Sequence, residues 1–202
     1  MCCKGADFVP IKFFAMISRM KYINRWSLMR NEHTENLSEH SFEVAVIAHA
    51  LAVIRNTRFG GSVNAERAAL LGLYHDAAET LTGDLPTPVK YYSEQVREAY
   101  KTVEEHAGES LVGMLPDDMK PYYAPFFTPD AGDAELWKIV KAADKLSALI
   151  KCIEEKKAGS SEFSLAAKST RESIESMGLK EAEVYLEQIL PAYDLTLDEL
   201  KS

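Results

Sequence analysis

The chain has 202 residues, a formal net charge of −8, 47% hydrophobic and 27% charged residues. This balance is ordinary for a globular protein, and the length predicts one domain with a sizeable core. The acidic charge argues against a nucleic-acid polymer as the main partner, because proteins that bind one usually present a basic surface. It leaves room for a small anionic substrate in a locally positive pocket.

The cysteines and the N-terminal stretch bear on the compartment. Cys2, Cys3 and Cys152 form no disulfide framework, which favours a reducing, cytoplasmic location. The first residues lack the apolar segment of a signal peptide, and we expect residues 1–7 to be a disordered extension of one domain over residues 8–202. No apolar stretch looks long enough to span a bilayer, so we expect no membrane partner.

The spacing of apolar residues predicts an all-α protein, a compact single-domain helical bundle. Capping residues, glycines and prolines indicate where the helices begin and end. The predicted helices are residues 8–20, 37–55, 65–80, 93–115, 133–157, 162–177 and 180–190. Residues 116–133 contain four prolines and are predicted to be a loop with at most short helical turns.

The stretch after the first predicted helix combines several cations with a tryptophan. Arg25 carries a planar fork of donors that matches a phosphate, and Trp26 offers a flat face to a base or a sugar. The same two residues also fit a surface cation beside a core-filling tryptophan. The residues alone leave both interpretations open.

The segment Leu71–Thr87 carries ionisable residues at the end of an apolar helix. His75 and Asp76 are adjacent, and Glu79 follows one helical turn after the histidine. Charged groups near a core need partners or a metal ion, and a carboxylate beside a metal can move a proton to or from water. The alternative is a polar helix end in which His-Asp is a chance dipeptide.

Two residues on other predicted helices extend this group. His40 lies in the first turn of helix 37–55, and Asp144 lies within the apolar helix 133–157. A carboxylate in that setting is unusual without a cation, although it also fits a surface pair with a neighbouring lysine. Together with His75 and Asp76 they would form a set of two nitrogen and two oxygen ligands. Such a set suits Mn, Fe, Co, Ni or Zn and leaves positions open for water and substrate.

The order of these four residues is the H…HD…D pattern of the HD-domain metal-dependent phosphohydrolases, which the chain resembles. Longer blocks are more specific, and they resemble the bacterial YfbR-like 5′-deoxynucleotidases within that superfamily. The blocks are INRWSLMRN (residues 23–31), TENLSEHS (residues 34–41), YHDAAETLTGDLPTPVKYY (residues 74–92) and the helix around Asp144. The resemblance runs from about Phe13 almost to the C-terminus.

The resemblance implies an activity: hydrolysis of 2′-deoxyribonucleoside 5′-monophosphates to deoxynucleoside and phosphate by a homodimer that binds one divalent metal ion. It implies that the metal ligands are His40, His75, Asp76 and Asp144. Glu79, Arg25 and Asp84 would take part in catalysis, with Arg25 orienting the phosphate. The implied substrate contacts are Arg25, Trp26, Asp84, Leu85, Pro86 and Thr87.

Other functions fit parts of the same pattern. An HD phosphohydrolase could act instead on a nucleoside triphosphate, a cyclic nucleotide or an alarmone. A non-catalytic nucleotide sensor would keep the metal only for folding, and the complete ligand set beside Glu79 argues against it. A helical adaptor protein would leave Asp144 and the His75–Asp76 pair unexplained.

Overall fold

The structure is a computed structural model that describes residues 9–128 and 130–202. The described residues form ten α-helices joined by short 3₁₀ and π segments, and they contain no β-strand, so the all-α prediction is confirmed. The predicted disordered extension and Cys2 and Cys3 lie outside these residues. The helices are α1 (Phe13–Ile17), α2 (Leu37–Phe59), α3 (Ala65–Tyr74), α4 (Glu79–Thr82), α5 (Thr87–Lys90), α6 (Glu94–Gly113), α7 (Lys120–Phe127), α8 (Ala134–Lys157), α9 (Ser164–Glu175) and α10 (Lys180–Val184).

The centre of the fold is α2, which packs against both α3 and α8, while α9 packs on α8. Ile47 and Leu51 of α2, Leu71 of α3, and Ile139 and Leu146 of α8 are fully buried where these helices meet. Burying side chains of this size contributes about 1.5–3 kcal/mol each. The helices that carry His40 and Asp144 are therefore held in place by the main core.

The start and the end of α2 follow from local chemistry. The Asn36 side chain accepts the backbone N–H of Glu39 at 3.1 Å, and the Glu39 carboxylate accepts the backbone N–H of Asn36 at 3.0 Å, which is a capping box. The helix continues past the predicted end at residue 55 to Phe59. It stops at Gly60, whose φ of 68° is the left-handed conformation that glycine adopts without strain.

The predicted helix 65–80 is wrong at its C-terminal end, because α3 stops at Tyr74. The His75 ring nitrogen Nδ1 lies 2.7 Å from the Gly72 carbonyl, so the side chain engages a backbone acceptor of the last turn. Tighter i→i+3 bonds follow, among them Glu79 N to Asp76 O at 2.9 Å. His75 and Asp76 therefore lie in a turn between α3 and α4.

The predictions for the segment before α2 and for residues 116–133 also need correction. Only Phe13–Ile17 forms an α-helix and Ser18–Tyr22 is a 3₁₀ turn, consistent with Pro10, which disfavours helix in the residue before it. In the predicted loop, α7 forms a helix of 8 residues, since a proline in its first turn removes no hydrogen bond. The Phe126 ring stacks on Tyr74 at 4.7 Å and holds α7 on the core.

The last predicted helix, 180–190, is α-helical only over Lys180–Val184. It widens into a π-helix over Tyr185–Ile189 and tightens into a 3₁₀ turn over Leu190–Asp194. Pro191 lies at this change, and its missing N–H and its ring both disturb a regular α-helix. The other helices, α6, α8 and α9, lie within one or two residues of their predicted ranges.

The expectation that no apolar stretch is long enough to span a bilayer does not account for the length of α2. By length and composition α2 could cross a membrane, with a mean hydropathy of 1.3 over its most apolar window. Half of that window is buried inside the fold, where it packs on α3 and α8. The core helix of a globular protein can have the same length and apolar composition as a membrane-spanning helix, because both environments select apolar residues.

The segment between α1 and α2 is closed by backbone hydrogen bonds at its base. Arg25 N donates to Glu35 O at 2.9 Å, and Leu37 N donates to Ile23 O at 3.0 Å. We call residues 23–37 the RW loop, because it carries Arg25 and Trp26. The closure fixes these two residues relative to the first turn of α2.

A buried ion pair on α8 fastens the RW loop from the other side. The Glu155 carboxylate accepts the backbone N–H groups of Glu32 and His33 at 2.9 and 3.0 Å. Lys151 pairs with Glu155 at 2.5 Å and also donates to the His33 carbonyl. Both side chains are at most 5% exposed, so the loop supplies the hydrogen bonds that these buried charges need.

We predict that Gly72→Ala destabilises the protein, because α3 crosses α2 closely at this residue. A Cβ at residue 72 would lie 3.0 Å from Ala45 Cα and 3.1 Å from Ala45 N, both backbone atoms of α2. Overpacking of this kind costs about 1–3 kcal/mol, and thermal unfolding monitored by circular dichroism measures it.

Gly113→Ala is the matched control. Gly113 ends α6, and apart from its chain neighbours and the backbone of its own helix no described atom lies within 4 Å of the position that a Cβ would take there, so alanine should be neutral or slightly stabilising. Equal melting temperatures for the two variants would contradict the close-approach argument.

Candidate metal centre and active site

Four residues from three parts of the fold converge beside the core. Donor atoms of His40, His75 and Asp76 all lie within 4.8 Å of one another. Asp144 joins them from α8, with its Oδ1 3.2 Å from His40 Nε2. Asp76 Oδ2 lies 3.0 Å from His75 Nε2 and 3.6 Å from His40 Nε2. The predicted ligand set is thus assembled in one place.

The hydrogen bonds of the two imidazoles define which nitrogen is free. His75 Nδ1 faces the Gly72 carbonyl, an acceptor, so this nitrogen carries the proton. His40 Nδ1 lies 3.0 Å from the Ser147 hydroxyl, which itself donates to Glu43 at 2.6 Å and therefore accepts from the imidazole. Both Nε2 atoms thus face the carboxylates and are the nitrogens available to a proton or a cation.

The surroundings of these two Nε2 atoms show whether the residues fit a metal ion. Both are buried, and neither has a hydrogen-bond partner among the described residues. Two lone pairs facing two carboxylates in a buried space are unfavourable unless a proton or a cation lies between them. The donor set, with each imidazole oriented through its other nitrogen, fits a divalent cation.

The ionisable groups of the cluster strongly influence one another's pKa values. Burial raises the pKa of Asp76, but the nearby His75, His40 and Arg25 outweigh it and hold the pKa well below its usual range. Burial and the Arg25 cation lower the pKa of His40, but its contacts with Asp144 and Glu35 raise it to about 9. The carboxylates of this cluster therefore favour a positive charge in their midst.

The RW loop brings Arg25 and Trp26 to the edge of this cluster. Arg25 Nη1 lies 3.3 Å from Asp76 Oδ2, and the arginine side chain is 12% exposed. The Trp26 indole N–H donates to Glu35 at 2.8 Å, and the ring packs edge-on against Phe163 at 5.3 Å. Trp26 has φ of 58°, a conformation that is strained for an aromatic residue.

Glu79 and Asp84 lie on the α4 side of the cluster. Glu79 is 5% exposed, and its Oε2 has no hydrogen-bond partner in the part of the chain that the structure describes. Burial and the Asp76 and Asp84 carboxylates raise the pKa of Glu79 to about 9. Burial also raises the pKa of Asp84, against the opposing effect of Arg25.

The turn after α4 contains the other predicted substrate contacts. Gly83 adopts φ of 74°, and Tyr100 donates to its carbonyl at 3.0 Å, which fixes the turn against α6. Leu85 and Pro86 are half-buried and Thr87 is exposed. The turn therefore lies at the surface next to Asp84.

Sequence reasoning missed several residues of this region. His40 Nδ1 lies near Glu35 and Ser147, and Ser147 in turn contacts Glu43. Of these residues, Ser147 could have been found from the sequence, because it lies one helical turn after Asp144. Trp137 also went unnoticed. It lines a cavity of about 650 Å³ together with two predicted ligands, His75 and Asp144.

Comparisons with solved structures identify the class of fold. An HD-domain phosphohydrolase from Listeria innocua superposes with a TM-score of 0.78 at 24% identity, covering 95% of this chain and 92% of that one. The cyanophage S-2L HD phosphohydrolase DatZ, bound to dA and one catalytic Zn²⁺, superposes with a TM-score of 0.62 at 18% identity, covering 88% and 95%. The fold is that of the HD-domain phosphohydrolases.

Sequence comparisons are more specific. The family model described as 5′-deoxynucleotidase YfbR-like matches residues 12–193. The 5′-deoxynucleotidases YfbR of Salmonella paratyphi B and Salmonella newport are each 50% identical over 188 residues, covering 93% of this chain and 94% of theirs. The chain belongs to the YfbR-like 5′-deoxynucleotidase family, which confirms the resemblance seen in the sequence.

We predict that His40→Asn weakens binding of Co²⁺ by about 100-fold or more, since losing a ligand should cost at least as much as losing a ligand's supporting residue. Titration calorimetry on metal-stripped protein measures this affinity. His49→Asn is the control, because His49 lies on the same helix but is exposed. Unchanged Co²⁺ affinity in His40→Asn would contradict the assignment of this residue.

Proposed function

We propose that this protein is a metal-dependent 5′-deoxynucleotidase that hydrolyses 2′-deoxyribonucleoside 5′-monophosphates to deoxynucleoside and phosphate. The proposal is supported by membership of the YfbR-like family over residues 12–193. The observation that carries it is the convergence of His40, His75, Asp76 and Asp144, with two unpaired imidazole nitrogens, beside Arg25 and Glu79.

In this proposal the four converging residues hold one divalent cation, and Co, Mn, Fe, Ni and Zn all suit their donor atoms. DatZ, which has the same fold, was solved with a catalytic Zn²⁺. When bound, such a cation lowers the pKa of water and offsets the charge of the phosphate.

Arg25 would bind and orient the phosphate group. Its guanidinium has five N–H donors, more than its contacts with Asp76 and Glu35 use, and its planar shape matches two phosphate oxygens. Being largely buried and next to Asp76, it would hold the phosphorus atom near the proposed cation. Such positioning is a large part of catalysis in phosphoryl transfer.

Glu79 would move the protons of the reaction. Attack by water forms one P–O bond and breaks the bond to the 5′-oxygen, so one proton must leave the water and one must reach that oxygen. With a pKa of about 9, Glu79 carries a proton at neutral pH, so we assign it to give that proton to the 5′-oxygen and to take up the proton that leaves the water. Asp84, close enough to Arg25 for the two charges to interact, would contact the sugar or share this proton.

The sugar would be selected by the residues that surround its C2′ carbon. We assign this role to Trp26 and to the turn of Asp84, Leu85, Pro86 and Thr87, which would crowd a 2′-hydroxyl or remove its solvation. Trp26 is suited to such a role because its ring is held by Glu35 and Phe163 and cannot easily move aside.

We predict that Glu79→Gln lowers kcat for dAMP by a factor on the order of 100 to 10,000, because an amide of the same size cannot give up and take up a proton as the carboxyl group does. Phosphate release from dAMP, the other deoxynucleotides, AMP and dATP measures the activity. Binding of dAMP and Co²⁺ to the variant should stay close to wild type. Glu98→Gln, exposed on α6, is the control.

The same panel distinguishes the alternatives. Preference for dATP with release of tripolyphosphate would replace the proposed activity with that of a triphosphohydrolase. Tight binding of dAMP without turnover in any metal would favour a sensor. Undiminished hydrolysis of dAMP after exhaustive chelation would overturn the metal dependence.

We also propose that the protein is a homodimer that uses the exposed face of α2. Phe42, Val46 and Val53 are 67%, 54% and 39% exposed, and their spacing puts them on one face of the helix. Large apolar side chains exposed along one face of a helix often mark a protein interface. A second copy of the chain, presenting the same face, would bury it symmetrically.

We predict that Val46→Glu converts the dimer into a monomer of 22.6 kDa, half the mass expected for wild type by light scattering. A charge buried in an apolar interface has no partner, so association should fail. Val103→Glu is the control, because Val103 is 50% exposed on α6. A wild-type protein that is already monomeric would end this proposal and leave the active-site assignments untouched.

A cytoplasmic location completes the proposal. Cys152 is buried with a free thiol, and the cysteines suggest no disulfide framework. Free thiols are typical of reducing compartments.

A further inference from the structure

Glu35 lies where the RW loop, the first turn of α2 and the candidate metal site meet. Its side chain is 12% exposed, and it belongs neither to the proposed metal ligands nor to the proposed substrate contacts. One carboxylate oxygen, Oε2, accepts the Trp26 indole N–H at 2.8 Å and lies 3.7 Å from Arg25 Nε. The other, Oε1, lies 3.4 Å from His40 Nδ1. A single side chain therefore contacts the phosphate, sugar and metal parts of the site.

The contact with Trp26 opposes a strained backbone. Trp26 keeps φ of 58° although this conformation is unfavourable for any residue with a Cβ. Its carbonyl accepts from Met29 N at 2.9 Å and Asn31 Nδ2 at 3.2 Å, and its ring packs on Phe163. Among these contacts of Trp26, the hydrogen bond to Glu35 is the one made by a charged side chain. Hydrogen bonds to charged groups are stronger than those between neutral groups.

The contacts with Arg25 and His40 add to those that these residues make with Asp76 and Ser147. Arg25 Nε is buried and has no hydrogen-bond partner among the residues that the structure describes, and Glu35 Oε2 lies 3.7 Å from it. His40 Nδ1 is also held by Ser147. A negative charge near Nδ1 keeps the proton on this nitrogen and leaves the Nε2 lone pair free for a cation.

We propose that Glu35 is a positioning residue for the deoxynucleotidase reaction, which aligns Trp26 with the sugar, Arg25 with the phosphate and His40 with the metal. The inference rests on the proposed function. Glu35 touches neither the proposed cation nor the substrate, and it acts through these three neighbours. A single acid thus couples the RW loop to α2, so that the sugar and phosphate contacts keep a fixed position relative to the metal ligands.

The test uses Glu35→Gln and Glu35→Ala in the full chain. Gln keeps an acceptor for the indole N–H but loses the charge, whereas Ala loses every contact. Glu32→Gln is the matched control, because Glu32 lies in the same loop, has the same charge and is 44% exposed. We expect wild type and Glu32→Gln to have similar kcat/KM for dAMP. The kcat/KM of Glu35→Gln should be about tenfold lower, and that of Glu35→Ala lower again.

Two readouts need no turnover. The chain has two tryptophans, so an amide NMR spectrum contains two indole N–H signals, and Trp26→Phe identifies that of Trp26. In Glu35→Ala the Trp26 signal should shift and exchange faster, while the Trp137 signal stays in place. Affinity for Co²⁺ should fall about tenfold, the size expected for a residue that supports a ligand.

A double-mutant cycle separates positioning from general structural damage. If Glu35 acts partly through Trp26, Glu35→Ala should lower kcat/KM by a smaller factor when Trp26 is already replaced by Phe. We expect that factor to be at least three times smaller than in the wild-type background. Equal losses in both backgrounds, or an unmoved Trp26 indole signal, would overturn the inference. If wild type hydrolyses no deoxynucleotide, the proposed function fails, and the indole signal and the Co²⁺ affinity still decide whether Glu35 holds its neighbours.

Discussion

The rest of this structure depends on one arrangement of charge. Two imidazole nitrogens, His40 Nε2 and His75 Nε2, face the carboxylates of Asp76 and Asp144 in a buried space, and neither has a hydrogen-bond partner among the described residues. An unsatisfied buried polar group costs about 1–3 kcal/mol, so the arrangement persists only because other parts of the chain hold it. The packing of α2 against α3 and α8 supplies that support. A cation between the four groups would turn the cost into a gain.

The break between α3 and α4 carries two members of this cluster, His75 and Asp76. His75 keeps helical backbone angles, and after it the backbone is held by i→i+3 bonds such as Ala77 N to Tyr74 O at 3.0 Å. In this turn His75 Nε2 and Asp76 Oδ2 lie 3.0 Å apart. The imidazole helps to make this turn by bonding to the Gly72 carbonyl. The same residue therefore shapes the backbone and presents a free nitrogen.

A second chain of contacts runs from α8 to the substrate side of the site. The buried Lys151–Glu155 pair holds the RW loop through two backbone N–H groups, and within that loop Glu35 reaches Arg25, Trp26 and His40. The strain at Trp26 is thus balanced by contacts at both ends of the loop. Strained residues of this kind often occur at functional sites, where geometry matters more than local stability. The arrangement keeps the loop in register with the metal ligands.

The all-α class, the start of α2 and the family could be predicted without a structure, because capping residues, apolar periodicity and long motifs are local features of the sequence. The sequence also identified the four converging residues, and the roles of those residues stay predictions. Three features became visible only in the folded chain: α3 ends at Tyr74, Phe126 packs on Tyr74 within a helix among prolines, and Glu35 contacts three neighbours. Side-chain bonds to backbone and packing between distant segments decide such features. Neither can be inferred from spacing, since each depends on which segments meet in space.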